Sequence, residues 1–155
     1  MGASALPNHR RNEEARSMTG SLYEEVQHFY GRQMRHLDEG EVTEWAATFT
    51  EDGVFAANAR PHPQEGRAAI EQGAREAAQR LADAGIRHRH WLGMLEVAAQ
   101  PDGLVLAKTY ALIVATPKGG PAAVHLSCSC EDQLVRVDGE LKVRHRQVHR
   151  DDLPA

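Results

Sequence analysis

The chain has 155 residues, 41% of them hydrophobic and 26% charged, with a formal net charge of −4 and a pI near 6.1. That length and apolar content suit one domain with one core, and the acidic balance disfavours a polyphosphate partner such as nucleic acid. No apolar run approaches the roughly 20 residues needed to cross a bilayer, and residues 1–20 carry no apolar signal segment, so a cytoplasmic protein without a membrane partner is expected. Residues 1–20, with Pro7, Asn8, Arg10, Arg11, Glu13 and Glu14, read as a disordered lead-in. A pocket domain over 21–150 and a short tail over 151–155 follow.

The first predicted helix spans about 22–38, where Leu22, Val26, Phe29, Tyr30, Gln33, Met34 and Leu37 form one apolar stripe and Gly40 supplies a stop. Thr43 is placed to cap a short helix that turns Trp45, Ala46 and Phe49 inward. A strand is expected over 53–59, broken by Pro61 and Pro63. A third helix over 67–84 carries Ile70, Ala74, Ala77 and Leu81 on its stripe and ends at Gly85.

The second half alternates long β-type runs, 87–99, 103–116, 122–137 and 140–149, with turn signals at Pro101-Asp102-Gly103, Pro117-Lys118-Gly119-Gly120 and Asp138-Gly139. Short turns between consecutive strands predict an antiparallel meander. Three helices against such a sheet give an α+β two-layer domain. Strands this long need bulges or bends, which curl a sheet into a cone with an apolar interior suited to a small molecule. Cys128 and Cys130 alternate with Ser127 and Ser129, share one strand face and are too far apart to pair, so both are read as reduced buried thiols.

Several segments together resemble the SnoaL-like branch of the nuclear transport factor 2-like superfamily. They are Tyr30 with Leu37-Asp38-Glu39-Gly40-Glu41; Trp45 with Phe49-Thr50-Glu51-Asp52-Gly53-Val54-Phe55; Gly66-Arg67 with Ile70; Arg89-His90-Trp91-Leu92-Gly93; and Val135-Arg136-Val137-Asp138-Gly139. The resemblance covers about 22–150 and is specific for fold, weak for function. It implies a cone-shaped α+β barrel, the cystatin-like roll, with three helices on a strongly curved, mainly antiparallel sheet. Within that superfamily the chain is most similar to small proteins of aromatic polyketide clusters. Their habits imply a cyclase or dehydratase acting on a fused-ring polyketide, no cofactor, and a homodimer.

The same resemblance places Asp38 and His90 where the scytalone dehydratase pattern has an orienting carboxylate and an acid/base histidine. Independently, Asp38 shares the stripe of Tyr30 and Met34 and sits at a helix C-terminus, where the macrodipole disfavours a carboxylate by about 0.3–1 kcal/mol; it therefore calls for a donor partner. Histidine, with an ordinary pKa of about 6.5, suits proton transfer near neutrality. Tyr30, Trp45, Phe55, Trp91, Leu92, Met94 and Tyr110 are candidate pocket walls, with Tyr30 the best placed to bond a substrate oxygen. Asn58, His125 and Cys130 are further substrate-side candidates, Cys130 standing where the dehydratase pattern has an asparagine. His88, His90 and His125 do not make a convincing metal set, and no metal is expected. Arg136, Lys142, Arg144, Arg146 and Arg150 read as a solvated basic face or a dimer rim. Two rival readings remain open: a noncatalytic binding or subunit protein assisting an oxygenase or reductase, and an isomerase or epoxide-opening enzyme, which needs a second pocket carboxylate from Glu131 or Asp132.

Overall fold

The computed structural model describes the backbone of residues 8–155 and the side chains from residue 21 onward. Helix α1 (Asn8–Asp38) buries Val26, Phe29, Tyr30, Gln33 and Met34, the expected stripe. It starts well before position 22, so 8–20 continue the helix where a disordered lead-in was expected, while 1–7 lie outside the described residues. The stretch offers little apolar patterning of its own, and the helix is propagated from the packed turns that follow. Gly40, at φ 77°, reverses the chain into α2 (Val42–Ala46). Thr43 lies inside α2 rather than capping it, and its hydroxyl donates to Glu71 Oε1 instead.

Strand β1 (Phe49–Ala57) begins four residues earlier than the sequence implied. Buried Phe49 starts it, and the register against the last strand shifts between Phe49 and Val54, around Gly53. A Cβ at Gly53 would lie 3.0 Å from the Thr50 carbonyl, so the irregularity selects glycine there. A two-residue strand β2 (Gln64–Glu65) pairs with β1 before α3 (Arg67–Ala84). Gly85 closes α3 in the left-handed region at φ 63°, its N–H reaching the carbonyls of Leu81 and Ala82.

Strands β3 (Ile86–Ala99), β4 (Val105–Pro117), β5 (Ala123–Val137) and β6 (Glu140–Arg150) form the predicted antiparallel meander. The Asp138-Gly139 turn has positive φ at both residues, 51° and 81°, the geometry a tight hairpin needs. One six-stranded sheet results, in the order β2-β1-β6-β5-β4-β3. Its β1–β6 pair is parallel, a closure the meander pattern did not anticipate. Register shifts at Gly93/Glu96, Ile113/Val114 and Gln133/Leu134 provide the bends that curl the long strands around the helices. The core lies between the inner sheet face and α1–α3, with Trp45 edge-on to Phe49 at 5.0 Å and Ile70, Leu134 and Val143 fully enclosed.

Candidate functional site

Strand β3 is an edge of the sheet, so alternate N–H groups along it face away from β4 and need other partners. The C-terminal end of α1 supplies one. Asp38 is the last residue of the helix; its Oδ2 accepts the His90 backbone N–H at 3.0 Å and its Oδ1 lies 2.6 Å from His90 Nδ1. The carboxylate is 7% exposed and the imidazole 20%. This contact sets the tautomer: Nδ1 carries the proton and donates to Asp38, leaving the Nε2 lone pair free. The C-terminal carboxylate thus has the donor partner its position demanded.

A cavity of about 760 Å³ opens beside the pair. Its walls come from three places: Leu37 to Gly40 at the end of α1, the Ala74, Ala77, Ala78 and Leu81 face of α3, and the start of β3 with the turn at 116–120. The volume is that of a site for a drug-sized molecule. His88 points to the same side, two residues before His90, with ring centroids 6.3 Å from His90 and 5.4 Å from His125. Among the described residues no three His, Cys, Asp or Glu side chains converge as a metal site.

Partial burial, then the neighbouring His90 and His125, push the His88 pKa down, against the pull of Asp38. The unfolded chain, with an ordinary histidine near 6.5, therefore binds this proton more readily than the fold does. His88's contribution to stability is full above that value and is lost as pH falls from it through the lower folded value. We expect the His88 ring signals in an NMR titration to move at a lower pH than those of a histidine in an unstructured peptide, and His88→Gln to flatten the acid limb of the stability curve. A midpoint for His88 at or above the ordinary value would contradict this.

The structure brings Asp38 and His90 together at the cavity but not the remaining predicted site residues. Tyr30 is 3% exposed and its hydroxyl donates to Asp132 Oδ2 at 2.7 Å, so the phenol is spent inside the core. Burial, and then the Asp132 charge, push its pKa well up. Trp45 is core, and Phe55 and Leu92 pack against the core. Asn58 is a clamp: its amide bonds the carbonyls of Arg150 and Pro154 and accepts the Arg150 N–H, pinning the tail. Trp91, Met94 and Tyr110 are 72%, 80% and 64% exposed; strand alternation sends Trp91, the neighbour of an inward His90, outward and Tyr110 with it, while alternation alone would have turned Met94 inward. Met94 sits within the β3 bulge at φ 52°. His125 reaches the His88 ring, but the cavity wall stops short of it. Cys130 is buried away from the cavity, its thiol pushed up by burial and then by Asp132, to whose Oδ1 it donates at 3.5 Å. Cys128 and Cys130 are both free thiols.

A second polar cluster, deep under α1, escaped the sequence reading. Arg146, expected on a solvated basic face, is only 4% exposed. Its Nε and Nη2 bond Asp132 at 2.9 and 2.7 Å, and Nη2 also reaches Gln33 Oε1 at 2.7 Å. Gln33 in turn donates to Thr48. Asp132 lies directly across from Arg146 on β5. The signal that hid Arg146 is the register shift between Gln133 and Leu134: simple alternation from inward Leu141 and Val143 would turn Arg146 outward, and the shift flips it in. Glu131 stays on the outside, 61% exposed, and Asp132 is engaged, so neither adds a carboxylate to the cavity.

Helices over a curved, mostly antiparallel sheet, with a carboxylate–imidazole pair at the cavity wall, define a small pocket protein of the α+β cone class. The chain belongs to the SnoaL-like domain family, whose model matches residues 19–147. It is 33% identical to ActVI-ORFA from Streptomyces coelicolor, over 88% of this chain and 99% of that one, with a TM-score of 0.81. A Catenulispora acidiphila protein solved in complex with S-DNPA is 39% identical over 86% and 96% of the two chains, with a TM-score of 0.76. An NTF2-like protein with a cystatin-like fold from Novosphingobium aromaticivorans shares the fold at 20% identity, covering 97% and 95%, with a TM-score of 0.79. No curated protein sequence matches the chain. Among the described residues no helix is long and apolar enough to cross a membrane.

Proposed function

We propose that this protein tailors a fused-ring aromatic polyketide, closing a ring or eliminating water by general acid/base catalysis. The observation that carries the reading is the 2.6 Å Asp38–His90 contact at the wall of the cavity. Similarity to a protein captured with S-DNPA supports a small-molecule occupant. In an elimination, His90 Nε2 takes the proton from the carbon next to a carbonyl. That electron pair forms the C=C bond, the C–O bond breaks, and the same proton returns to the departing hydroxyl as water. The balance needs no redox partner. Turnover of a fused-ring β-hydroxy ketone by the protein and by His90→Ala tests the reading. Loss of turnover with an unchanged circular dichroism spectrum is expected. Unchanged turnover would overturn it and favour a noncatalytic binding or subunit role.

We further propose a homodimer formed through the outer sheet face. Trp91 and Leu112 pair across β3 and β4, and Tyr110 stands one position along on the same face, leaving 72%, 37% and 64% of them exposed. Adjacent exposed large apolar side chains mark an interaction surface. Analytical ultracentrifugation should show a dimer at micromolar concentration and a monomer for Trp91→Glu. A monomeric parent protein would rule out this assembly.

A further inference from the structure

Arg146 and Asp132 lie in the core, 4% and 2% exposed. An ion pair taken out of water adds little stability over apolar side chains of the same volume, because desolvation offsets the attraction. What it adds is direction: its bonds hold near one length and angle, whereas apolar surfaces repack. Both partners extend that direction to α1. The Tyr30 hydroxyl donates to Asp132 Oδ2, and Arg146 Nη2 donates to Gln33 Oε1, each at 2.7 Å. Gln33 Nε2 donates onward to Thr48 Oγ1 at 2.7 Å, and that hydroxyl donates to the Trp45 carbonyl. One turn and a half before Tyr30, Glu25 takes both terminal nitrogens of Arg136 at 2.7 Å. Gln33 and Tyr30 precede Asp38 on the same helix, by about 7.5 and 12 Å along its axis.

We propose that Tyr30, Gln33, Asp132 and Arg146 are positioning residues, which key the rotation and height of α1 on the sheet so that Asp38 meets His90. The contact at the far end of the helix leaves little freedom. A carboxylate stands about 5 Å from a helix axis, so a rotation of about 20° carries it about 1.7 Å. That is enough to break the 2.6 Å contact with His90 Nδ1. The apolar stripe of Val26, Phe29 and Met34 tolerates such a rotation by repacking, and the four polar residues do not. None of the four lines the cavity, so they act on the pair through the helix alone. The effect on turnover rests on the proposed acid/base function; the effect on the Asp38–His90 contact does not.

Proton NMR of the double variant Tyr30→Phe with Gln33→Met tests this, read on the far-downfield Nδ1 proton of His90, which is identified by its loss in His90→Ala. Both replacements keep the volume under α1, and the Asp132–Arg146 pair keeps its own bonds at 2.9 and 2.7 Å. The signal should vanish or lose most of its intensity while the fold still melts cooperatively. In the same variant kcat should fall at least about tenfold with KM little changed, the cost of a misplaced group. Asp132→Leu with Arg146→Met repeats the test from the sheet side and should lose the signal too. Ile70→Val trims the core on α3 and cuts none of these bonds, so it should lose stability and keep the signal. A full-strength signal in either double variant overturns the proposal, as does loss of the signal in Ile70→Val. A lost signal with parental kcat leaves the positioning role standing and removes the acid/base reading.

Discussion

Under the proposed acid/base mechanism, Asp38→Asn is expected to lower kcat by about 10²–10⁴-fold with little change in KM, the range for a lost general acid/base function or an inverted tautomer. The asparagine carbonyl can still accept the His90 backbone N–H that Asp38 Oδ2 takes at 3.0 Å. Strand and helix therefore stay joined. What changes is the ring. An amide N–H facing Nδ1 favours the tautomer with its proton on Nε2, which removes the lone pair from the cavity side. His90→Ala removes the ring itself and should cost at least as much. The double variant should lose no more than His90→Ala alone, because the carboxylate acts through the imidazole. Steady-state kinetics on the three variants, with thermal melts to show intact folding, checks this. An Asp38→Asn enzyme with parental kcat would mean the pair is structural.

Asp132→Ala costs about 3–5 kcal/mol of stability, because it strands the Arg146 guanidinium inside the core. Arg146 is 4% exposed, and two of its three bonds go to this carboxylate. The Tyr30 hydroxyl loses its acceptor in the same step. For a domain of this size the loss lowers Tm by roughly 10 °C. Replacing both partners by apolar residues, Asp132→Leu with Arg146→Met, should recover much of it, since no charge is then left buried. Urea unfolding of the single and double variants gives the comparison. A single variant within about 1 kcal/mol of the parent would show that water reaches the guanidinium.

The pattern of helices, turns and long strands was legible because it rests on local chemistry: the stripe on α1, Gly85 in the left-handed region, the Asp138-Gly139 hairpin. The Asp38–His90 pair was legible from the family resemblance, helped by a carboxylate at the unfavourable end of a helix. Strand parity was partly legible too. Neighbours on a strand cannot share a face, so Trp91 could not join His90 in one cavity, and its large ring drew attention to the wrong side. Met94 and Arg146 were harder, because bulges reset the alternation and no residue type announces that β6 carries an extra residue, Arg144, opposite the step from Gln133 to Leu134. The contact of Tyr30 with Asp132 spans 102 positions in the chain, a distance that no local pattern encodes.

Because a single carboxylate grips both the ring and the backbone N–H of His90, this wall of the cavity behaves as one rigid piece. The width of the cavity is then set across the gap, where Ala74, Ala77 and Ala78 face it from α3. Ala74 belongs to the packed core and Ala78 rests against it, so Ala77 is the spacer that can be lengthened without touching the Asp38–His90 pair. Under the proposed function the scaffold separates two evolutionary dials: one wall would fix which proton moves, and the other how many rings fit in front of it.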